Sequence, residues 1–408
     1  MEDMLSENKR IIAVVAIVAI VAVAAVGVVY LMQPTGGPEP IRIGVLEPLT
    51  GGTSASGRGG YHGFQVAAEQ LNEEGGIMGR PVVIVSEDTE GDPETASSAA
   101  SKLITVDNVD FMMGTVLSSV VMQVAEVAAD YETVFIATNP TTSAFTNLVA
   151  DDYDRYKYLF RTQWNVSQWM YAFFTSTTDL LEDVDSISFV TEDLTWAREA
   201  TEHLEGFCNE SGIDYQGVLF TPGTTDFSAE ITQVEDFGPD LVLVDLLLGT
   251  SLGFHSQWWS LKPNITYVGA SGLLSYPRTI EELGATDTDY MLTVNHMWNV
   301  SLSENSQQYF GDFIQVSGQK PFGTDVTSYD ALMALAQAIE QAGTTDTDAV
   351  IEALETYEFT GARESFTFMD NHQISYIPPV LLQWQDTEAT VVWPSGHSTG
   401  SYTDQPWV

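Results

Sequence analysis

The chain is poor in two things on which many proteins depend. It has one cysteine, Cys208, and 14 basic residues against 57 acidic ones. A single cysteine excludes an intrachain disulfide, a thiolate zinc site and any Cys-x-x-Cys redox motif. With so few Lys and Arg there is no cluster to grip a phosphate backbone, so no nucleic acid is expected as a partner. His62, His203, His255, His296, His372 and His397 follow no metal-ligand spacing, which argues against a metal site. The glycines around Gly57–Gly60 lack the Gly-Lys-Ser/Thr ending of a phosphate loop. Acids such as Glu47, Glu87 and Asp88 accompany no recognisable nucleophile–base pair, and in a chain this acidic they read as solvated charge. Neither a cofactor nor catalysis is implied.

What is present begins with a net charge of −43. Such a surface repels itself at low salt and stays soluble where salt screens it, which points to surroundings of high ionic strength. Ile11–Met32 carries no charge and is long enough to cross a bilayer. Lys9 and Arg10 directly before it place residues 1–10 in the cytoplasm and everything after Met32 outside. The length of the run favours an uncleaved single-pass anchor over a cleaved signal. Gln33–Pro40 then reads as a flexible tether.

From Ile41 the chain alternates short β-branched runs with apolar-periodic segments, the rhythm of a parallel sheet covered by helices. Its 408 residues suggest two domains. Three strands, the last two of them successive, end in hydroxyl-rich loops: Thr50–Ser56, Thr115–Ser119 and Thr138–Ser143. Ligands of such sheets bind at the carboxyl ends of the strands, so Ser54, Ser56, Ser118 and Ser119 are candidate contacts. Each loop also fits helix capping, and the two readings stay open at this stage. A second α/β series follows a crossing near Arg161. Its Asp240–Leu248 run, almost purely apolar, predicts a strand buried on both faces. The 394–408 tail is expected to be mobile. Trp164, Trp169, Trp196, Trp258, Trp298 and Tyr329 suit the apolar body of a ligand. Trp258 and Trp259, on a helix, and Trp169 read first as packing residues.

The order of several motifs resembles a known family. Ile41–Gly57 (IRIGVLEPLTGGTSASG), Gly63–Gly79 (GFQVAAEQLNEEGGIMG), Ser86–Pro93 (SEDTEGDP), Met113–Ser119 (MGTVLSS) and Tyr267–Gly272 (YVGASG) carry the likeness. Together they are similar to the type I periplasmic binding proteins of ABC transporters, in the leucine/isoleucine/valine-binding branch. The likeness runs from Ile41 to about Trp393. It implies two Rossmann-like α/β lobes joined by three crossing strands, with residues 41–161 and 294–366 in lobe I and 162–293 and 367–393 in lobe II. It also implies a small-molecule ligand held between the lobes. In the family a serine after the third strand and small or hydroxyl residues after the fourth grip the ligand carboxylate. The matching positions are Ser118, Pro140, Thr141 and Thr142, and Trp196 matches the aromatic that closes over the ligand. The family's acid for a ligand ammonium falls at Thr250, which is uncharged, and Asp245 is the closest carboxylate. That departure opens the ligand class to amides, urea-like compounds and carboxylates without an amine.

The expected function is therefore extracytoplasmic capture of a small polar solute for an ABC permease, with the protein held at the membrane by its N-terminal helix. The alternative is the ligand-sensing domain of a signalling system, although residues 1–10 are too short to hold a signalling domain.

Overall fold

The computed structural model describes residues 38–246, 248–269, 290–321, 323–385 and 388–408. The apolar run 11–32 expected to form an anchor lies outside the described residues. Among those described, no helix is long and apolar enough to cross a membrane.

The first lobe begins with β1 (Ile41–Glu47), α1 (Ser54–Glu73), β2 (Val82–Asp88), α2 (Pro93–Thr105), β3 (Phe111–Gly114) and α3 (Ser118–Asp130). It continues through β4 (Phe135–Ala137), α4 (Ser143–Asp151), the single turn α5 (Tyr153–Tyr156) and β5 (Leu159–Arg161). The strands form one parallel sheet in the order β2-β1-β3-β4-β5. Local signals place these elements. Asp92 accepts the Thr95 N–H to cap α2, whose first residue is Pro93. The turn between α1 and β2 needs Gly76 at φ +79°, where a Cβ would sit 2.1 Å from the Arg80 carbonyl.

After β5 the chain builds the second lobe with α6 (Val166–Leu181), β6 (Ser186–Glu192), α7 (Thr195–Ser211), β7 (Asp214–Phe220) and α8 (Ser228–Phe237). β8 (Leu241–Asp245), α9 (Leu248–Leu261), β9 (Thr266–Gly269) and β10 (Leu292–Asn295) follow. The chain then returns to the first lobe with α10 (Ser306–Ser317), α11 (Thr324–Ala342), α12 (Thr347–Thr356) and the hairpin β11 (Phe359–Thr360) and β12 (Ser365–Phe366). It crosses once more to add β13 (Val380–Gln385) and β14 (Glu388–Trp393) as antiparallel strands. The second sheet is therefore mixed, in the order β14-β13-β10-β9-β8-β6-β7. Each sheet is covered on both faces, by two apolar clusters in each lobe. That burial is what lets all five residues of β8 be buried.

The three crossings lie side by side. Thr162 Oγ1 donates to the Thr327 carbonyl at 2.9 Å, and Gln373 Nε2 to the Gln163 carbonyl at 2.7 Å. The His296 imidazole stacks on Trp164 at 4.1 Å and shares a 2.6 Å hydrogen bond with Gln163 Oε1.

Three expectations change on folding. The Thr50–Ser56 and Thr115–Ser119 segments are loops only in part: Ser54 and Ser118 are the first residues of α1 and α3. The tail is tied down, because Gln405 bonds both the N–H and carbonyl of Tyr267 and Trp407 packs edge-on to Trp259 at 4.8 Å. Tyr329 belongs to the first lobe's core and not to a ligand site. It is 1% exposed, lies tilted 4.6 Å from the Tyr309 ring and donates its hydroxyl to Gln70 at 2.7 Å.

Candidate functional site

The carboxyl ends of the two sheets face one another. Ser143, at the start of α4 beyond β4, donates a hydrogen bond to Glu199 on α7, beyond β6 of the other lobe. The residues on either side of that contact define the candidate cleft.

On the first lobe no side chain caps α3, so its first N–H groups remain available to an anion beside half-buried Ser118 and exposed Ser119. The loop after β4 is held from below by Arg161, the last residue of β5, which is fully buried. Its guanidinium donates to the carbonyls of Thr142 (2.6 Å) and Pro140 (3.3 Å), to Thr146 Oγ1 (3.3 Å) and to Gln373 Oε1 (2.6 Å). All four acceptors are neutral. Burial pushes the guanidinium's pKa down to about 9, with Glu199 acting the other way, so it stays charged at neutral pH. The carbonyl of Pro140, the one group that residue had to offer, is taken by Arg161. Thr142 caps α4 through the Ala144 N–H, and the Thr141 carbonyl accepts the Val166 N–H. Thr141 leaves its half-buried hydroxyl at the rim.

On the second lobe Glu192 ends β6 and Asp245 ends the adjacent β8. Thr250, on α9, donates to Glu192 Oε1 at 2.8 Å. The uncharged residue at the expected acidic position thus leans on a carboxylate from another strand. Asp245 is 7% exposed and accepts the Trp169 indole N–H at 2.7 Å. Burial raises its pKa to about 6; the Trp169 bond opposes that rise and the Glu192 charge adds to it. Trp169 stacks at 5.5 Å on Trp164 and 5.6 Å from His296, which builds an aromatic wall next to the crossings. Trp196, in the first turn of α7, is half-buried against the second lobe's core. Ser54 and Ser56 are half-buried on the first turn of α1.

Among the candidates read from sequence, Ser118, Ser119, Thr141, Trp196, Asp245 and Thr250 thus occupy the facing ends of the lobes, while Tyr329 does not. Sequence reasoning missed Arg161, Glu192, Glu199 and the role of Trp169. The one available signal was Arg161 itself, a rare cation in the apolar Leu159–Phe160 context.

A two-lobe frame with strand ends facing across three crossings narrows the comparison with known proteins. The family model described as periplasmic binding protein matches residues 40–386. The chain belongs to this family. Its members are solute-binding proteins of ABC transporters, so the protein is a solute-binding protein and not an enzyme. It is 26% identical over 379 residues to Leu/Ile/Val-binding protein homolog 7 of Brucella suis, covering 87% of this chain and 91% of that one. Two solved structures share the fold. The branched-chain amino acid transporter substrate binding protein LivJ of Streptococcus pneumoniae, in complex with isoleucine, gives a TM-score of 0.72 at 17% identity, covering 86% of this chain and 98% of its own. A solute binding protein of an ABC transporter from Rhodopseudomonas palustris, in complex with 3,4-dihydroxy benzoic acid, gives 0.73 at 16%, covering 90% and 99%.

Proposed function

We propose that this binding protein captures a small zwitterion, an amino acid with an apolar side chain, between its lobes and delivers it to an ABC permease. The observation that carries the reading is the opposite charge of the two facing rims. The first lobe offers the N-terminus of α3 and the potential of buried Arg161 to a carboxylate. The second offers Asp245 to an ammonium, and the half-buried Trp169, backed by Trp164 and His296, and Trp196 supply apolar surface for a side chain. Asp245 thereby fills the role left empty at Thr250. The Leu/Ile/Val-binding relatives and the isoleucine-bound neighbour support this class. Anchoring through residues 11–32, with the lobes outside the cell, completes the proposal.

The test is calorimetric titration with leucine, isoleucine and valine beside the same acids without the amine. The amino acids are expected to bind at least tenfold tighter. Equal affinity for the amine-free acids would remove the ammonium from the reading and favour a ligand of the carboxylic-acid kind seen in the Rhodopseudomonas neighbour.

The pH profile gives a second check. Asp245 attracts an ammonium only when ionised, so affinity is expected to be highest above pH 6 and to fall between pH 7 and pH 5. Asp245→Asn should flatten that profile and weaken binding by about 10-fold or more, the equivalent of one charge-assisted bond. The same change is expected to stabilise the ligand-free protein at neutral pH. The folded-state pKa lies above the unfolded value, so the ionised carboxylate opposes folding above pH 6 and that opposition fades as pH falls. A variant that bound normally, with the wild-type pH dependence, would displace Asp245 from the site.

A further inference from the structure

Glu47 reads from sequence as a solvated charge, yet the structure buries it completely at the end of β1. Neither of its carboxylate oxygens has a hydrogen-bond partner. Burial raises its pKa well above the ordinary value, and the neighbouring charge of Asp325, also fully buried, raises it further. Two hydroxyls close around the same point. Thr138, just past β4, lies beside the carboxylate and favours its charged form, but short of bonding geometry. Ser328, in the first turns of α11, has a hydroxyl that is fully buried and unpartnered. Gly60 shows how tightly they converge: a Cβ there would sit 2.8 Å from Glu47 Oε1 and 3.1 Å from Ser328 Oγ.

A buried carboxylate without a partner, next to a second carboxylate, needs a neutralising species. The charge that acts on Glu47, that of Asp325, is also negative. A proton on Glu47 would neutralise one charge but bridge at most one pair of the converging oxygens. A cation satisfies several oxygens at once, and the side chains of Glu47, Asp325, Thr138 and Ser328 all offer oxygen. That donor set selects hard cations. It also explains why histidine and cysteine spacing gave no sign of a site, and among the described residues no group of three or more His, Cys, Asp or Glu gathers as a metal centre. We infer that Glu47, Asp325, Thr138 and Ser328 form a buried binding site for a hard, oxygen-ligated cation of the Ca2+ or Na+ class. Its position has a structural consequence. Glu47 leads into the segment carrying Ser54 and Ser56, and Thr138 leads into Pro140–Thr142, so one ion would brace two of the rims that face the cleft.

The test is thermal unfolding of the full chain, kept soluble in mild detergent and dialysed against a chelator. CaCl2, NaCl and choline chloride are compared at equal ionic strength, so that general screening of the acidic surface is common to all three. CaCl2 or NaCl is expected to raise the melting temperature by about 5 °C over choline, a shift typical of a ligand well above its dissociation constant. Glu47→Gln, nearly isosteric and uncharged, should abolish that increment, and Ser328→Ala should reduce it. The arm that gives the larger increment distinguishes a divalent from a monovalent ion. Identical melting in all three salts would overturn the site, and a stability that then declines as pH rises would mark Glu47 as a protonated acid. An increment that survives undiminished in Glu47→Gln would assign the ion to the surface. If that variant does not fold, an undiminished increment in Ser328→Ala decides the matter in the same way.

Discussion

Replacing Arg363 by methionine is expected to lower the unfolding free energy by about 3–5 kcal/mol, the cost of breaking a fully buried ion pair from one side. Arg363 and Asp330 are both wholly inaccessible. The guanidinium donates to Asp330 Oδ2 at 2.6 Å and to the Thr162 carbonyl at 2.8 Å, so one side chain ties α11 and the β11–β12 hairpin to the first crossing. Asp330 accepts in addition the Ala362 N–H at 2.7 Å. Methionine keeps most of the volume and removes the charge, which leaves an unpaired carboxylate in the core. Denaturant titration measures the loss, and its pH dependence identifies the cause. Burial already holds the pKa of Asp330 above its ordinary value even with Arg363 beside it. Without the guanidinium it would rise further, and a raised folded-state pKa means that the native state gains relative stability as the pH falls. The deficit should therefore shrink in acid. Adding Asp330→Asn should recover part of it at neutral pH, the signature of a coupled pair. A loss below about 1 kcal/mol, with no pH dependence, would show that the pair is dispensable.

The second large effect is expected in ligand binding. Arg161→Lys should leave the protein folded while weakening its ligand by about 10-fold or more, since bonds to charged donors contribute roughly 1.5–3 kcal/mol each. The planar guanidinium reaches Pro140, Thr142, Thr146 and Gln373 together, and a single ammonium cannot reproduce that fork. The segment it holds carries Thr141 and leads to Ser143, whose hydroxyl meets Glu199 of the opposite lobe. Loosening it blurs the rim offered to a carboxylate and the contact between the lobes. Calorimetry on Arg161→Lys, with Thr146→Val as a control that removes only the long 3.3 Å bond, separates loop positioning from general damage. Wild-type affinity in Arg161→Lys would mean that the loop holds its shape without the fork.

The alternation of strands and helices could be read along the chain because it is local. Ile41–Glu47 is a β-branched run, α2 has its Asp92 cap and Pro93, and the turn before β2 has glycine where the backbone turns left-handed. The same is true of the face of α11 that carries Tyr329, Leu332, Ala336 and Ile339. What periodicity conveys is which side of a helix is apolar, and not what lies opposite it. Tyr329 was assigned to a cleft when its ring was destined for the core beside Tyr309. Hydroxyls are ambiguous for a similar reason, since Thr142 and Ser118 both follow strands and only the fold makes the first a cap and leaves the second at an uncapped helix end.

Charge was the least legible feature. In a chain with 57 acids, no single carboxylate stands out by its neighbours in sequence. Glu47 and Asp325 lie far apart along the chain, as do Thr250 and Glu192, or Asp330 and Arg363. Whether each acid is solvated, paired or stranded depends on which elements pack together, because the energy of a charge is set by its surroundings within a few ångströms. The sequence alone determined the fold class, the family and the end of the sheet to inspect. The tertiary structure decided which side chains share a space, because that depends on elements far apart in the chain packing together, and with it which carboxylates are paired and which, like Glu47, are buried without a partner.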